Sequence, residues 1–128
     1  MSNTSMIIET DVSQLELDER GFIRISLLDT GKDFNITEAN RQIAAAYELT
    51  NGKPYKALVD TTKSTISPST EVKQLIAGVE HKIREAIVVK TLGNRIIGNI
   101  YLKIINKRYP CKIFNNEDSA IEWLLMAE

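Results

Sequence analysis

Tyr55 to Ser69 reads YKALVDTTKSTISPS. It opens on a short apolar run, Ala57-Leu58-Val59, which meets Asp60 abruptly. Five hydroxyl residues follow before Pro68: Thr61, Thr62, Ser64, Thr65 and Ser67. The run reads as a buried strand and the hydroxyl residues as a loop at its C-terminal end. A helix is expected to start at Pro68 with Ser67 as its cap, because proline suits a first helical turn. In open α/β sheets, ligands and modifications gather where strands end and helices begin. Asp60, Thr61, Thr62, Ser64, Ser67 and Ser69 are therefore the candidate interaction or phosphorylation loop. A phosphoryl group there would place negative charge near a helix N-terminus, where an anion is favoured.

Toward the N-terminus, residues 1–5 are expected to fray. Leu15 and Leu17 alternate with Glu16 as in a half-buried strand, and Asp18-Glu19-Arg20-Gly21 makes a turn. Phe22 to Leu27 follows as a second strand, with Ile23, Ile25 and Leu27 expected inward and the parity that carries Arg24 outward. Thr37 or Asn35 caps the next helix, which runs to about Leu49. Glu38 in its first turn meets the positive end of the helix dipole. Ala39, Ile43, Ala46 and Tyr47 form its apolar stripe, and Thr50-Asn51-Gly52-Lys53-Pro54 ends it.

Toward the C-terminus, the helix from Pro68 is expected to reach about Lys82, with Val72, Leu75, Ile76, Val79 and Ile83 on its stripe. Glu85 to Lys90 is a strand covered on both faces. A third helix spans about Arg95 to Asn106, its stripe made of Ile97, Ile100, Tyr101, Ile104 and Ile105, widened by Ile96. Gly98 inside it suits a close approach by another backbone. Tyr109-Pro110 stops it, and Cys111 to Phe114 is a short strand. Asn115 or Asn116 caps a last helix, packed by Ala120, Ile121, Trp123, Leu124 and Leu125.

The totals bound the classes. The chain has 128 residues, the size of one domain over 1–128. Sixteen basic against 17 acidic residues give a formal net charge of −1. This lacks the positive excess of a nucleic-acid surface. One cysteine excludes an internal disulfide and a multi-cysteine metal site. The N-terminus has no signal-peptide pattern, and no window approaches the ~20 apolar residues of a membrane span. A cytoplasmic protein without an integral membrane segment is expected.

Strand, strand, helix, then three repeats of strand and helix describe an α/β fold. It is a single mixed sheet of about five strands, an N-terminal hairpin followed by β-α repeats, covered by about four helices. That order, with Asp18-Glu19-Arg20-Gly21-Phe22-Ile23-Arg24-Ile25, Ile36-Thr37, Leu49 to Pro54, Leu58-Val59-Asp60, Pro110, Ile113-Phe114 and Ala120 to Leu124, resembles the STAS domain. That fold is found in cytoplasmic domains of sulfate transporters and in bacterial anti-sigma-factor antagonists, and the likeness is strongest to a small bacterial branch. The resemblance spans roughly Leu15 to Leu125. It implies a non-catalytic regulatory module that binds a protein partner through strand-end loops and the adjacent helix. The antagonists carry an Asp-Ser-Ser/Thr-Gly motif with a phosphorylated serine. Here Ile66-Ser67-Pro68-Ser69-Thr70 stands in its place, with Ser69 as the nearest positional counterpart.

Other chemistry-bearing residues have ordinary readings. Asp60 is expected to accept backbone N–H bonds from its own loop. His81 is expected solvated or capping near a helix end. Cys111 is expected packed as a small hydrophobe, and Tyr101 and Trp123 as core or rim. Arg95, Lys103, Lys107 and Arg108 form a basic cluster on the third helix, expected to be solvated. No acid–base pair, nucleophile–base pair, metal set or cofactor motif is legible, so an enzyme is the least favoured reading. The partners expected are a protein or a second copy. The alternative is a carrier or sensor of a small apolar or anionic ligand, held between helix and sheet beside the isoleucine-rich third helix.

Overall fold

The computed structural model describes residues 6–104 and 107–126. The expectations for residues 1–5, and for Ile105 and Asn106 at the end of the third helix, lie outside the described residues. So do those for the side chains of Tyr101 and Ile104.

The strands are β1 (Ile7–Glu9), β2 (Ser13–Leu17), β3 (Ile23–Leu27), β4 (Tyr55–Asp60), β5 (Lys82–Val88) and β6 (Cys111–Phe114). The helices are α1 (Ile36–Thr50), α2 (Thr70–Ala77), α3 (Leu92–Ile104) and α4 (Glu117–Leu125). All six strands form one sheet in sequence order. β1, β2 and β3 pair antiparallel, and β3 to β6 pair parallel. The sheet has one strand more than expected. The chain folds back at Thr10, whose N–H donates to the Ser13 carbonyl, and this splits the N-terminal segment into two strands.

A parallel strand–helix–strand connection is almost always right-handed. Three such crossovers progressing in one direction put α1, α2 and α3 on the same face of the sheet. Val12, Leu15, Ile23, Ile25, Ala39, Ala45, Ala46, Ala57 and Val72 form the core there. α4 alone takes the opposite face, over Phe22, Leu58, Ala86, Val88 and Phe114. Phe22 is therefore fully buried, not outward. Arg24 on the same parity is still covered enough to pair with Glu117 at 2.7 Å.

Capping fixes the element ends. Gly21, at φ +99, makes the hairpin turn. Asn35, not Thr37, caps α1 by accepting from Glu38 N–H at 2.9 Å. Asn51 closes that helix in the left-handed region, at φ 53. Tyr47 is exposed, and the third small residue on the buried stripe is Ala45. Asn116 caps α4, whose Leu125 stays outward.

α2 corrects the sequence reading most. It is eight residues long and capped by Ser69, whose Oγ accepts from Val72 N–H. Ser67 and Pro68 lie outside the helix, which ends at Ala77, five residues before the expected Lys82. Lys82 and Ile83 therefore belong to β5. The segment before Ser69 does not coil because Ile66 packs on the core instead. His81 is consequently not at a helix end. Its carbonyl accepts from Tyr55 N–H, and its ring stands edge-on to Tyr47 at 5.9 Å.

α3 starts at Leu92, earlier than expected, because Thr91 Oγ1 accepts from Asn94 N–H at 3.0 Å. Its isoleucines do not form a buried stripe: Ile96, Ile97 and Ile100 are 54%, 67% and 56% exposed. The helix approaches the sheet through Gly98, where any Cβ would collide with Ile113 Cδ1, so its close neighbour is a side chain and not the expected backbone.

Candidate functional site

Between the sheet and α1, α2 and α3 lies a cavity of about 650 Å³. Small-molecule sites run from ~300 to 1,000 Å³ and are mostly apolar with few polar groups. Ile25, Leu27, Val59 and Ile87 form its floor on the sheet, and Ile43 and Ala46 of α1 and Ile76 of α2 form two walls. Ile97 and Gly98 bound it on the α3 side. Ile97 remains largely exposed although it lines the cavity, so the cavity opens to solvent along α3.

The expected loop divides at this cavity. Thr61, Ser64 and Ser67 line it, with Thr65, Ile66 and Pro68. Asp60 does not: it shares the parity of Leu58, which packs under α4. Its Oδ1 accepts from Thr62 N–H at 2.8 Å and from the Thr62 hydroxyl at 2.6 Å, closing its own turn as expected. Ser69 is engaged as the α2 cap. Thr61 donates its hydroxyl to the Val88 carbonyl at 2.8 Å.

Asp29, absent from the sequence reading, pins the loop from outside. It accepts from the Ser64 hydroxyl at 2.9 Å, from Thr65 N–H at 3.0 Å and from the Thr65 hydroxyl at 3.1 Å. These donors, the Thr65 amide foremost, hold its carboxyl below the usual range. Asp29→Ala is expected to speed amide hydrogen exchange at Thr65 while leaving exchange in β4 unchanged. Unaltered exchange at Thr65 would mean that Asp29 does not hold the loop.

The other end of the cavity is charged. Lys82 and Glu85 are three apart in a strand, a spacing that normally points side chains to opposite faces. The register between β4 and β5 slips by one residue at Ile83, because Tyr55 pairs with Lys82 but Lys56 with Arg84. This bulge turns Lys82 onto the face of Glu85. Lys82 Nζ donates to Glu85 Oε2 at 2.8 Å. Lys107, which follows α3, donates to Glu85 Oε1 at 2.6 Å. The side chains are 4%, 3% and 10% exposed for Lys82, Glu85 and Lys107. Both ammonium groups also lie over the Tyr109 ring, at 5.0 and 5.5 Å. The expected solvated basic cluster is therefore dispersed, because its Lys107 turns inward.

Burial alone would raise the Glu85 carboxyl, but Lys82 and Lys107 outweigh it and hold it at about 2. Burial opposes charge on Lys107 as well, and Glu85 overcomes it, so its ammonium is held more firmly than usual. The Cys111 thiol, 3.2 Å from Glu85 Oε1, is pushed up by burial and by the carboxylate. A thiol so held is a poor nucleophile at neutral pH. Tyr55, beside the cluster, is raised to about 12 by burial and by Glu85. Among the described residues, no three His, Cys, Asp or Glu side chains stand together to hold a metal ion. No described helix is long and apolar enough to cross a membrane.

Residues 19–127 match the family described as "Domain of unknown function (DUF7793)". No curated protein matches the chain. Among solved structures, the chain is similar to a protein from Shewanella loihica PV-4 described as an uncharacterized member of the DUF3478 family with a SpoIIAA-like fold. The TM-score is 0.60 at 16% identity, over 97% of this chain and 98% of that one. A protein with unknown function from Arthrobacter sp. FB24 aligns over 91% of this chain and 95% of that one, at 21% identity and a TM-score of 0.31. The Shewanella likeness shows the fold: a SpoIIAA-like, that is STAS-like, mixed sheet with four helices.

Proposed function

From the premise that the chain belongs to the DUF7793 family, we propose that it is a non-catalytic regulatory module whose input is a small, largely apolar ligand bound between the sheet and α1, α2 and α3. The observation that carries this is the cavity of about 650 Å³ with its aliphatic floor. An open cleft of this size with an aliphatic floor is the form that small-molecule sites take. The three-sided wall suits a sensor, since α3 and the 61–69 loop bound the opening and are the surfaces a ligand would reshape. The paired charges and the inert Cys111 thiol support binding over catalysis.

The test is titration of the protein with Nile red, a neutral apolar dye. One-to-one binding with a blue-shifted emission is expected. Ile43→Trp, at a half-buried lining position, is expected to weaken it about tenfold. Failure of the dye to saturate, or tight binding unaffected by Ile43→Trp, would remove the cavity as the site.

A second reading, docking of a partner protein or a second copy, is favoured by one feature. α3 exposes Leu92, Ile96, Ile97 and Ile100 together, at 59%, 54%, 67% and 56%. Contiguous apolar surface of this kind marks interaction sites. Light scattering with and without dye separates the readings: a constant dimer favours α3 as an interface, and a constant monomer removes self-association.

A further inference from the structure

The cavity is electrically lopsided. Among the described residues, Lys82, Lys90 and Lys107 line it with one carboxylate, Glu85. The imbalance is not only at the rim. At the buried end, two ammonium groups converge on one carboxylate, with a neutral thiol and an aromatic ring completing the shell. Glu85 divides its two oxygens between the two lysines, so among the described residues one full positive charge at that end has no carboxylate of its own. An isolated charge in a poorly solvated place is costly, and an anion brought to it gains unusually much.

We infer that the buried end takes the carboxylate of an amphipathic monocarboxylic acid, whose apolar body lies along the sheet toward the hydroxyl loop. This deepens the cavity reading and rests on it. Three observations fix the class. The charge sits at the innermost part of the site, so the head enters first and the tail faces outward. Glu85 pairs with Ala57, and Thr61 follows four residues beyond it, just past the end of β4, so the distance between the two levels is about 13 Å at ~3.3 Å per residue. The surface over that length is Ile25, Val59 and Ile87, which offer no hydrogen bond to a polar body. A dianionic head is disfavoured, because Glu85 leaves only one unit of positive charge uncompensated.

The experiment is calorimetric titration of the full chain with decanoate and with decanol, below their aggregation limits. The acid is expected to bind at least tenfold tighter than the alcohol. Lys107→Gln is expected to weaken decanoate about tenfold and leave decanol unchanged. Glu85→Gln, which leaves both ammonium groups without their carboxylate, is expected to tighten decanoate. A purely structural role for the cluster would not produce these opposite signs. If Glu85→Gln fails to fold, Lys107→Gln alone decides, since its side chain is the more accessible of the cluster's lysines. Equal affinity for acid and alcohol overturns the head-group assignment while the cavity reading stands. If neither probe saturates, both fall. Acid preference untouched by Lys107→Gln also overturns the assignment.

Discussion

Glu85→Ala is expected to destabilise the protein by about 3–5 kcal/mol, because it leaves Lys82 and Lys107 buried without their counter-charge. Urea unfolding followed by circular dichroism measures this directly. The pH dependence gives an independent check. The Glu85 carboxyl stands at about 2 in the folded chain against an ordinary 4.5. A folded value below the unfolded one means that stabilisation is complete above pH 4.5 and lost as pH falls from there toward 2. The difference corresponds to about 3 kcal/mol over that window. Stability of the wild type is therefore expected to fall between pH 4.5 and 2. Glu85→Gln is expected to start lower at neutral pH and to fall less steeply over the same window. Parallel slopes for the two proteins would show that Glu85 is not held as the geometry implies.

The cluster that makes this prediction was not legible in the sequence. Its members lie at positions 82, 85, 107 and 111, and a bulge decides their meeting. Alternation along an unbroken β5 places Lys82 and Glu85 on opposite faces, so periodicity points away from the pair. One signal was available: a glutamate opening the apolar run Ala86-Ile87-Val88-Val89 must find a cation if the strand is covered on both sides. The order of strands and helices from β2 onward was legible, because apolar periods of two and of about 3.6 differ; the short β1 and the start of β5 at Lys82 were not. The α1 cap was legible as a pair of candidates, Thr37 or Asn35, and Asn35 takes it. The α2 cap was misplaced at Ser67; Ser69 takes it because Ile66 is held on the core and the helix starts after it. α3 shows the limit in the other direction. Its isoleucines carry a helical period, but periodicity does not distinguish a stripe pressed on a core from one beside an open cavity. Of the proposed loop, Thr61, Ser64 and Ser67 reach the cavity, whereas Asp60 lies on the far face by one step of parity.

Glu38→Ala is expected to lower stability by about 2–4 kcal/mol, although the sequence offers the residue only as a first-turn partner of the helix dipole. It is 1% exposed. Its carboxylate accepts from the Thr10 hydroxyl, from Asp11 N–H at 3.1 Å, from Val12 N–H at 3.0 Å and from Gln42 Nε2 at 3.3 Å. One side chain thus satisfies two backbone amides in the connection between β1 and β2, and ties that connection to the first turn of α1. Removing it leaves the buried Val12 amide with no acceptor, and an unsatisfied buried donor costs about 1–3 kcal/mol by itself. Loss of the helix-to-strand tether adds to that. The melting temperature is expected to drop on the order of 10 °C for a chain of this size. Glu38→Gln, which keeps one acceptor oxygen, is expected to fall between the two. Glu117→Ala serves as the control. Its pair with Arg24 is partly exposed, and exposed pairs contribute about 0–1 kcal/mol. Scanning calorimetry of the three variants separates the cases. Melting of Glu38→Ala within about 1 °C of wild type would show that water replaces the carboxylate at no cost. The consequence reaches the cavity, because Gln42, Ile43 and Ala46 of the same helix wall it. A looser α1 is expected to weaken Nile red binding in Glu38→Ala even at temperatures where the fold persists. The tether is therefore part of what keeps the volume open and shaped.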